Sequence, residues 1–138
     1  MSGLVLDASI ALGWCFPDEA TVTTESLLGQ VRDEGALVPE IWRFEVANVV
    51  VSAQRAKRID ADRSAEFFRL LDALPIRADT QAASRAFGPI YELARQEGLT
   101  AYDAAYLDLA RWRGLPLATK DKELSAAAKR NGVKVLLP

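Results

Sequence analysis

The chain has 138 residues, half of them hydrophobic, with 17 basic and 19 acidic side chains, a net charge of −2 and no histidine. That length predicts a single domain over 1–138, able to bury a core without disulfide staples. The near-neutral balance excludes blanket attraction to nucleic acid or anionic membrane but leaves room for a local basic groove. The missing histidine removes serine–histidine triads, histidine general bases and histidine-containing zinc sites.

One cysteine, Cys15, allows no intrachain disulfide. It fits a reducing cytoplasm and reads as a small buried hydrophobe. The first residues lack the basic-then-apolar order of a signal peptide, and no apolar run approaches the ~20 residues of a membrane span. A soluble, cytoplasmic protein with no membrane partner is expected.

In chain order, LVL (4–6) reads as a buried strand and is cut off by Asp7. Helices are predicted at about 8–15 and 20–33, then a strand at ALV (36–38). Helices at 40–57 and 61–72 lead to a strand at LPI (74–76). Helices at 80–97 and 101–112 lead to LPLA (115–118). A helix at 121–131 precedes the last strand, VKVLL (133–137). DEGA, EGL and RNG supply turns between elements. Strands alternating with helices imply an α/β fold, with a mostly parallel sheet covered on both faces.

In such a sheet the strand ends and the helix starts meet on the carboxyl edge, where open α/β sheets place ligands. Asp7 ends the first strand, and Asp121 follows the fourth. Glu45 sits only ~7 Å below the start of its helix at 1.5 Å per residue. Asp103 lies in the first turn of a helix that returns through a short RGLP loop. Four carboxylates from distant segments therefore fall on one edge. Asp7 also suits a helix cap, Asp121 a helix start favoured through the dipole, and Thr100 with Asp103 fits a capping box. Glu45 is harder to dismiss, because its helical neighbours Ile41, Trp42, Asn48 and Val49 make a largely apolar face. Asp108, rotated away on the helix of Asp103, reads as a surface residue paired with Arg111.

Four converging carboxylates repel one another, and a hard divalent cation relieves them. Oxygen ligands without Cys or His favour Mg²⁺, with Mn²⁺ as a substitute. Carboxylate-held Mg²⁺ suits phosphodiester hydrolysis by metal-activated water. Ser9 and Thr119 stand two residues from Asp7 and Asp121 and suit a supporting, orienting role. Lys120, Lys122, Arg111, Arg113 and the QRAKR run (54–58) are candidates to offset the acids and contact the backbone of a phosphodiester substrate. Trp14 and Phe16 are candidates to stack a base or line a partner groove. The apolar surface of helix 40–57 (Val46, Val49, Val50, Val51, Ala53) exceeds one core-facing stripe and suggests a dimer or partner face.

LVLDAS, PEIWRFEVANVV, LTAYDAAYLDLA, LPLATKDKEL and AAAKRNGVKVL, in this order across nearly the whole chain, resemble a PIN-domain ribonuclease of the VapC toxin type. The resemblance implies a PIN-like three-layer α/β/α sandwich with a five-stranded parallel sheet of order 3-2-1-4-5. It implies a Mg²⁺-dependent endoribonuclease with Asp7, Glu45, Asp103 and Asp121 as the catalytic, metal-binding quartet. Ser9 and Thr119 match the family's hydroxyl positions. It further implies an RNA substrate, a homodimer and inhibition by a small cognate antitoxin of a type II toxin-antitoxin pair. Leu124 departs from the bulky aromatic of many relatives, a difference of packing. A haloacid-dehalogenase-like phosphatase needs a second Asp where Ser9 stands. A PIN-fold binding module without catalysis is the other alternative.

Overall fold

The computed structural model describes residues 3–136. Five parallel strands, β1 (Leu4–Leu6), β2 (Ala36–Pro39), β3 (Ile76–Asp79), β4 (Leu117–Ala118) and β5 (Val135–Leu136), form one sheet in the order β3-β2-β1-β4-β5. The expected 3-2-1-4-5 sheet flanked by helices is thus observed. β1 is central, and all three of its residues are fully buried, which explains an apolar run without alternation.

The helices are α1 (Ala8–Leu12), α2 (Val22–Glu34), α3 (Trp42–Arg55), α4 (Ala61–Ala73), α5 (Ala82–Arg85), α6 (Tyr91–Glu97), α7 (Ala101–Arg113) and α8 (Lys122–Arg130). Strand order and right-handed crossovers put α1 to α4 on one face and the later helices on the other. The packing of α1 on α3, and of α7 on α8, β1 and β2, agrees with that division. Ala104 to Ala110 of α7 are all buried, so this helix is enclosed nearly all round.

Several boundaries shift, with the first helix ending at Leu12 and the fourth and fifth strands shortened to 117–118 and 135–136; two further shifts have a clear cause. The third strand begins at Ile76 and runs to Asp79 rather than covering 74–76. It is an edge strand with exposed Arg77 and Ala78, so it lacks the apolar run that marks a buried strand. The predicted helix 80–97 is broken between α5 and α6 by a π-type turn over Ala86–Ile90. Gly88 there is non-helical, and Pro89 has no amide proton to give the preceding turn. Leu137, predicted in the last strand, lies outside the described residues.

Asp108 corrects a sequence expectation. It is buried, not on the surface, and its partner is Arg85 rather than Arg111. The Arg85 guanidinium donates to both carboxylate oxygens, at 2.6 and 2.9 Å. Asp79, buried at the end of β3, likewise accepts from Arg113 at 2.7 Å. The Trp112 ring lies under both guanidiniums, at 5.2 Å from Arg85 and 4.2 Å from Arg113. The two pairs fasten the end of α5 and the end of β3 to α7. A buried carboxylate is tolerated because a bidentate cation satisfies it.

The other singled-out side chains sort by burial. Trp14 and Phe16 are core residues, 6% and 3% exposed, so neither offers a face to a base or a partner. The Trp14 indole donates to the Thr24 carbonyl, and Arg58 covers the Phe16 ring. Cys15 is buried, and Leu124 is fully enclosed. On α3, Val46, Val50 and Ala53 belong to the core, which leaves Val49 and Val51 as the exposed remainder of the stripe. Among the described residues no helix is long and apolar enough to cross a membrane.

Asp108→Asn removes one half of the Arg85 pair while keeping its volume. It should destabilise the fold by about 2 kcal/mol, the usual value of a hydrogen bond to a charged group. Arg111→Ala should stay within about 0.5 kcal/mol as a surface change. Urea unfolding of the two variants beside wild type measures both.

Candidate active site

β1 pairs with β4 so that Leu6 stands opposite Ala118. One residue on, Asp7 and Thr119 leave the sheet side by side. The Asp7 amide donates to the Ala118 carbonyl at 3.0 Å, and the Thr119 amide to Leu136 at 3.3 Å. The backbone ladder therefore delivers both side chains to the carboxyl edge.

Asp7 precedes α1 but does not cap it with its side chain. Its Oδ2 instead accepts from the Thr119 hydroxyl at 2.6 Å and from the Ser9 hydroxyl at 2.8 Å. The Ser9 oxygen accepts from the Lys120 amide, and the Thr119 oxygen from the Asp121 amide. Both hydroxyls are thereby oriented by backbone donors to give their protons to Asp7. Oδ1 remains outside this pair of bonds.

The remaining acids arrive by different routes. Asp121 caps α8, where its Oδ1 accepts from the Leu124 amide at 3.0 Å, so one oxygen is used structurally. Thr100 caps α7 by accepting from the Asp103 amide, but no reciprocal side-chain bond completes a capping box. The Asp103 carboxylate is left for the edge. Glu45 is half-buried and faces inward, with its Oε1 bonded to the Tyr106 hydroxyl of α7. Sequence reasoning missed Tyr106. The signal was a tyrosine three residues after Asp103 on one helical face.

The acids sense one another. Burial pushes the Asp7 carboxyl above its ordinary value, partly opposed by the Thr119 and Ser9 hydroxyls and reinforced by Asp121. Burial also raises Glu45; the Tyr106 bond opposes this, while the Asp7 and Asp103 charges add to it. Asp103 is raised by burial and then by Asp121 and Asp7. Burial, followed by the Glu45 bond and charge, holds the Tyr106 phenol neutral at all ordinary pH values.

The donor set is oxygen-only and anionic, which fits a hard divalent cation. As arranged, no three of these side chains among the described residues already form a metal-holding group. The quartet shares an edge and a repulsion without yet closing on one point.

The basic candidates divide. Lys122, at the start of α8, is exposed beside Asp121. Lys120 lies next to it, 3.7 Å from Glu19. Arg113 is committed to Asp79. Arg111 lines a groove with Pro116, Gly132 and Lys134, residues that precede β4 and β5, so it stands at the opposite, amino edge. Neither Arg111 nor Arg113 joins the acids. In the QRAKR run, Arg58 is held by Asp18 and Glu19.

A raised carboxylate is a linkage statement. Below ordinary carboxylate pKa values both folded and unfolded chains are protonated there, and the site costs nothing. As pH rises through the raised folded values, the folded chain must hold charges that the unfolded chain holds freely, and stability is lost. In EDTA, Asp7→Asn should therefore gain on wild type as pH rises from 4 to 8, reaching about 1 kcal/mol. The difference between the two melting curves across that range is the measurement.

Comparison with known proteins agrees with this architecture. A PIN domain profile matches residues 4–130. Ribonuclease VapC3 from Pyrobaculum aerophilum is 29% identical over 126 residues, covering 88% of this chain and 92% of that protein. The crystal structure of PAE2754 from the same organism has a TM-score of 0.72 at 24% identity, covering 98% of this chain and 91% of that one. FitAcB from Neisseria gonorrhoeae has a TM-score of 0.63 at 19% identity, covering 96% of each chain. At those identities the two structures speak for the fold. With a profile that runs from the first strand through α8 over a 3-2-1-4-5 sheet, the chain belongs to the PIN-domain family.

Proposed function

We propose that this protein is a Mg²⁺-dependent endoribonuclease, the toxin of a type II toxin-antitoxin pair. The observation that carries the reading is the treatment of Asp7. Two hydroxyls, themselves oriented by backbone amides, hold a buried carboxylate at the sheet edge instead of letting it cap its own helix. Asp121 adds to the cost of its charge, and Asp7 in turn adds to that of Glu45 and Asp103. A fold tolerates such repulsion where function uses it. The ribonuclease name of the VapC3 relative supports the substrate class.

Asp7, Asp103, Asp121 and Glu45 would hold the divalent ion. When bound, it supplies a water acidic enough to attack a phosphodiester and charge to stabilise the leaving oxygen. Ser9 and Thr119 fix which Asp7 oxygen faces the site. Glu45, its proton affinity raised, would accept a proton from the attacking water. Lys122 and Lys120 would receive the RNA backbone beside the acids. Because no histidine base exists to activate a 2′-hydroxyl, products should carry 5′-phosphate and 3′-hydroxyl ends. Exposed Val49 and Val51 would contribute to a homodimer seam, and a small antitoxin would cover the acid edge.

One observation favours a second reading, a PIN-fold binding module without catalysis. The acids do not already close into a metal-holding group.

Purified, partner-free protein should cleave total RNA into discrete fragments with Mg²⁺ and not with EDTA. An identically prepared Asp103→Asn variant should lose at least a hundredfold of that rate. Cleavage by the variant, or 2′,3′-cyclic phosphate ends, would sink the mechanism. A folded wild type inert with every divalent metal would favour the binding module. Lys122→Glu should raise KM for RNA several-fold and lower the salt slope of binding by about 1, as for one phosphate contact. Arg111→Glu should change neither.

A further inference from the structure

Tyr106 is fully buried, and a buried hydroxyl must find a partner. Its partner is one oxygen of one acid at the candidate site, Oε1 of Glu45. The bond joins α7 to α3, helices that pack on opposite faces of the sheet, and it therefore passes across the carboxyl edge. Tyr106 stands one helical turn past Asp103, so α7 presents a carboxylate and the fixed phenol on the same side. Glu45 is otherwise a flexible side chain among like charges, which would swing it toward solvent. The phenol pins Oε1 and leaves Oε2 for the site. Thr119 and Ser9 do the same for Asp7, pinning Oδ2 and leaving Oδ1. Two of the four acids are thus held by hydroxyls that bind a single oxygen each.

We propose that Tyr106 is a positioning residue, whose hydroxyl fixes the Glu45 carboxylate in the orientation that a divalent cation or its attacking water requires. The proposal rests on the ribonuclease reading above. Groups that orient metal-binding side chains typically contribute 10–100-fold to affinity or activity.

The test is Tyr106→Phe, which removes the oxygen and keeps the ring packing. The first readout needs no RNA: the Mn²⁺ or Mg²⁺ concentration that gives half of the metal-induced rise in melting temperature. The second is kcat and KM on a defined RNA. The variant should need at least about tenfold more metal and lose about tenfold in kcat, with KM for RNA unchanged. In a Glu45→Gln background the same substitution should cost nothing further, because the phenol acts only through that carboxylate. A mere tether between α3 and α7 would instead lower the melting temperature equally with and without metal and leave the metal midpoint and kcat at wild-type values. That outcome, or full additivity with Glu45→Gln, overturns the proposal alone. A folded wild type that neither responds to metal nor cuts RNA overturns the ribonuclease reading, and this proposal with it.

Discussion

The pairing of β1 with β4 decides where the chemistry of this protein sits. Leu6 faces Ala118 across the ladder, so the next residues, Asp7 and Thr119, leave the sheet together. Thr119 is fully buried and has no water to bond, and its hydroxyl goes to Asp7. A slip of one residue would turn Asp7 to the other face and separate it from that hydroxyl. The fully buried β1 prevents such a slip, because Leu4, Val5 and Leu6 all have core to lose. Hydrophobic burial below the site thus holds the carboxylate above it.

Helix α7 serves both the site and the fold. Its first turns carry Asp103 and Tyr106 toward the acid edge, and its later turns carry Asp108, Trp112 and Arg113. The later residues are held by paired charges, Asp108 with Arg85 and Arg113 with Asp79, packed around one indole. Charge is neutralised at one end of the helix and left unbalanced at the other. The fold thereby gives rigid support to a region that repels itself.

That contrast separates two kinds of buried carboxylate. Asp79 and Asp108 each have an arginine, and each closes an account within the structure. Asp7 and Glu45 have only neutral hydroxyl partners, which satisfy one oxygen and leave the negative charge for something that arrives from outside. A cation is the simplest complement to such a group. The two lysines beside Asp121 in the chain do not pair with these acids: Lys122 is exposed, and Lys120 lies 3.7 Å from Glu19.

Local sequence pattern was enough to place the alternation of strands and helices and the four acids near element ends. Those features follow from local pattern, since apolar runs and turn residues act over a few neighbours. Asp7 was legible because a carboxylate directly after a buried strand is costly without a reason, and Asp121 because it stands at a helix start three residues beyond LPLA. Only the tertiary structure decided partnership. Asp108 looked like a surface residue beside Arg111, yet the fold brings Arg85 to it from 23 positions away. Arg111 and Arg113 looked alike, but one faces the amino edge and the other neutralises Asp79. Tyr106 shares a helical face with Asp103, but its partner became visible only when the fold brought Glu45 against it from 61 positions away. The physical reason is range: helix and strand preferences are set by adjacent residues, whereas a buried polar group is defined by whatever distant segment satisfies it.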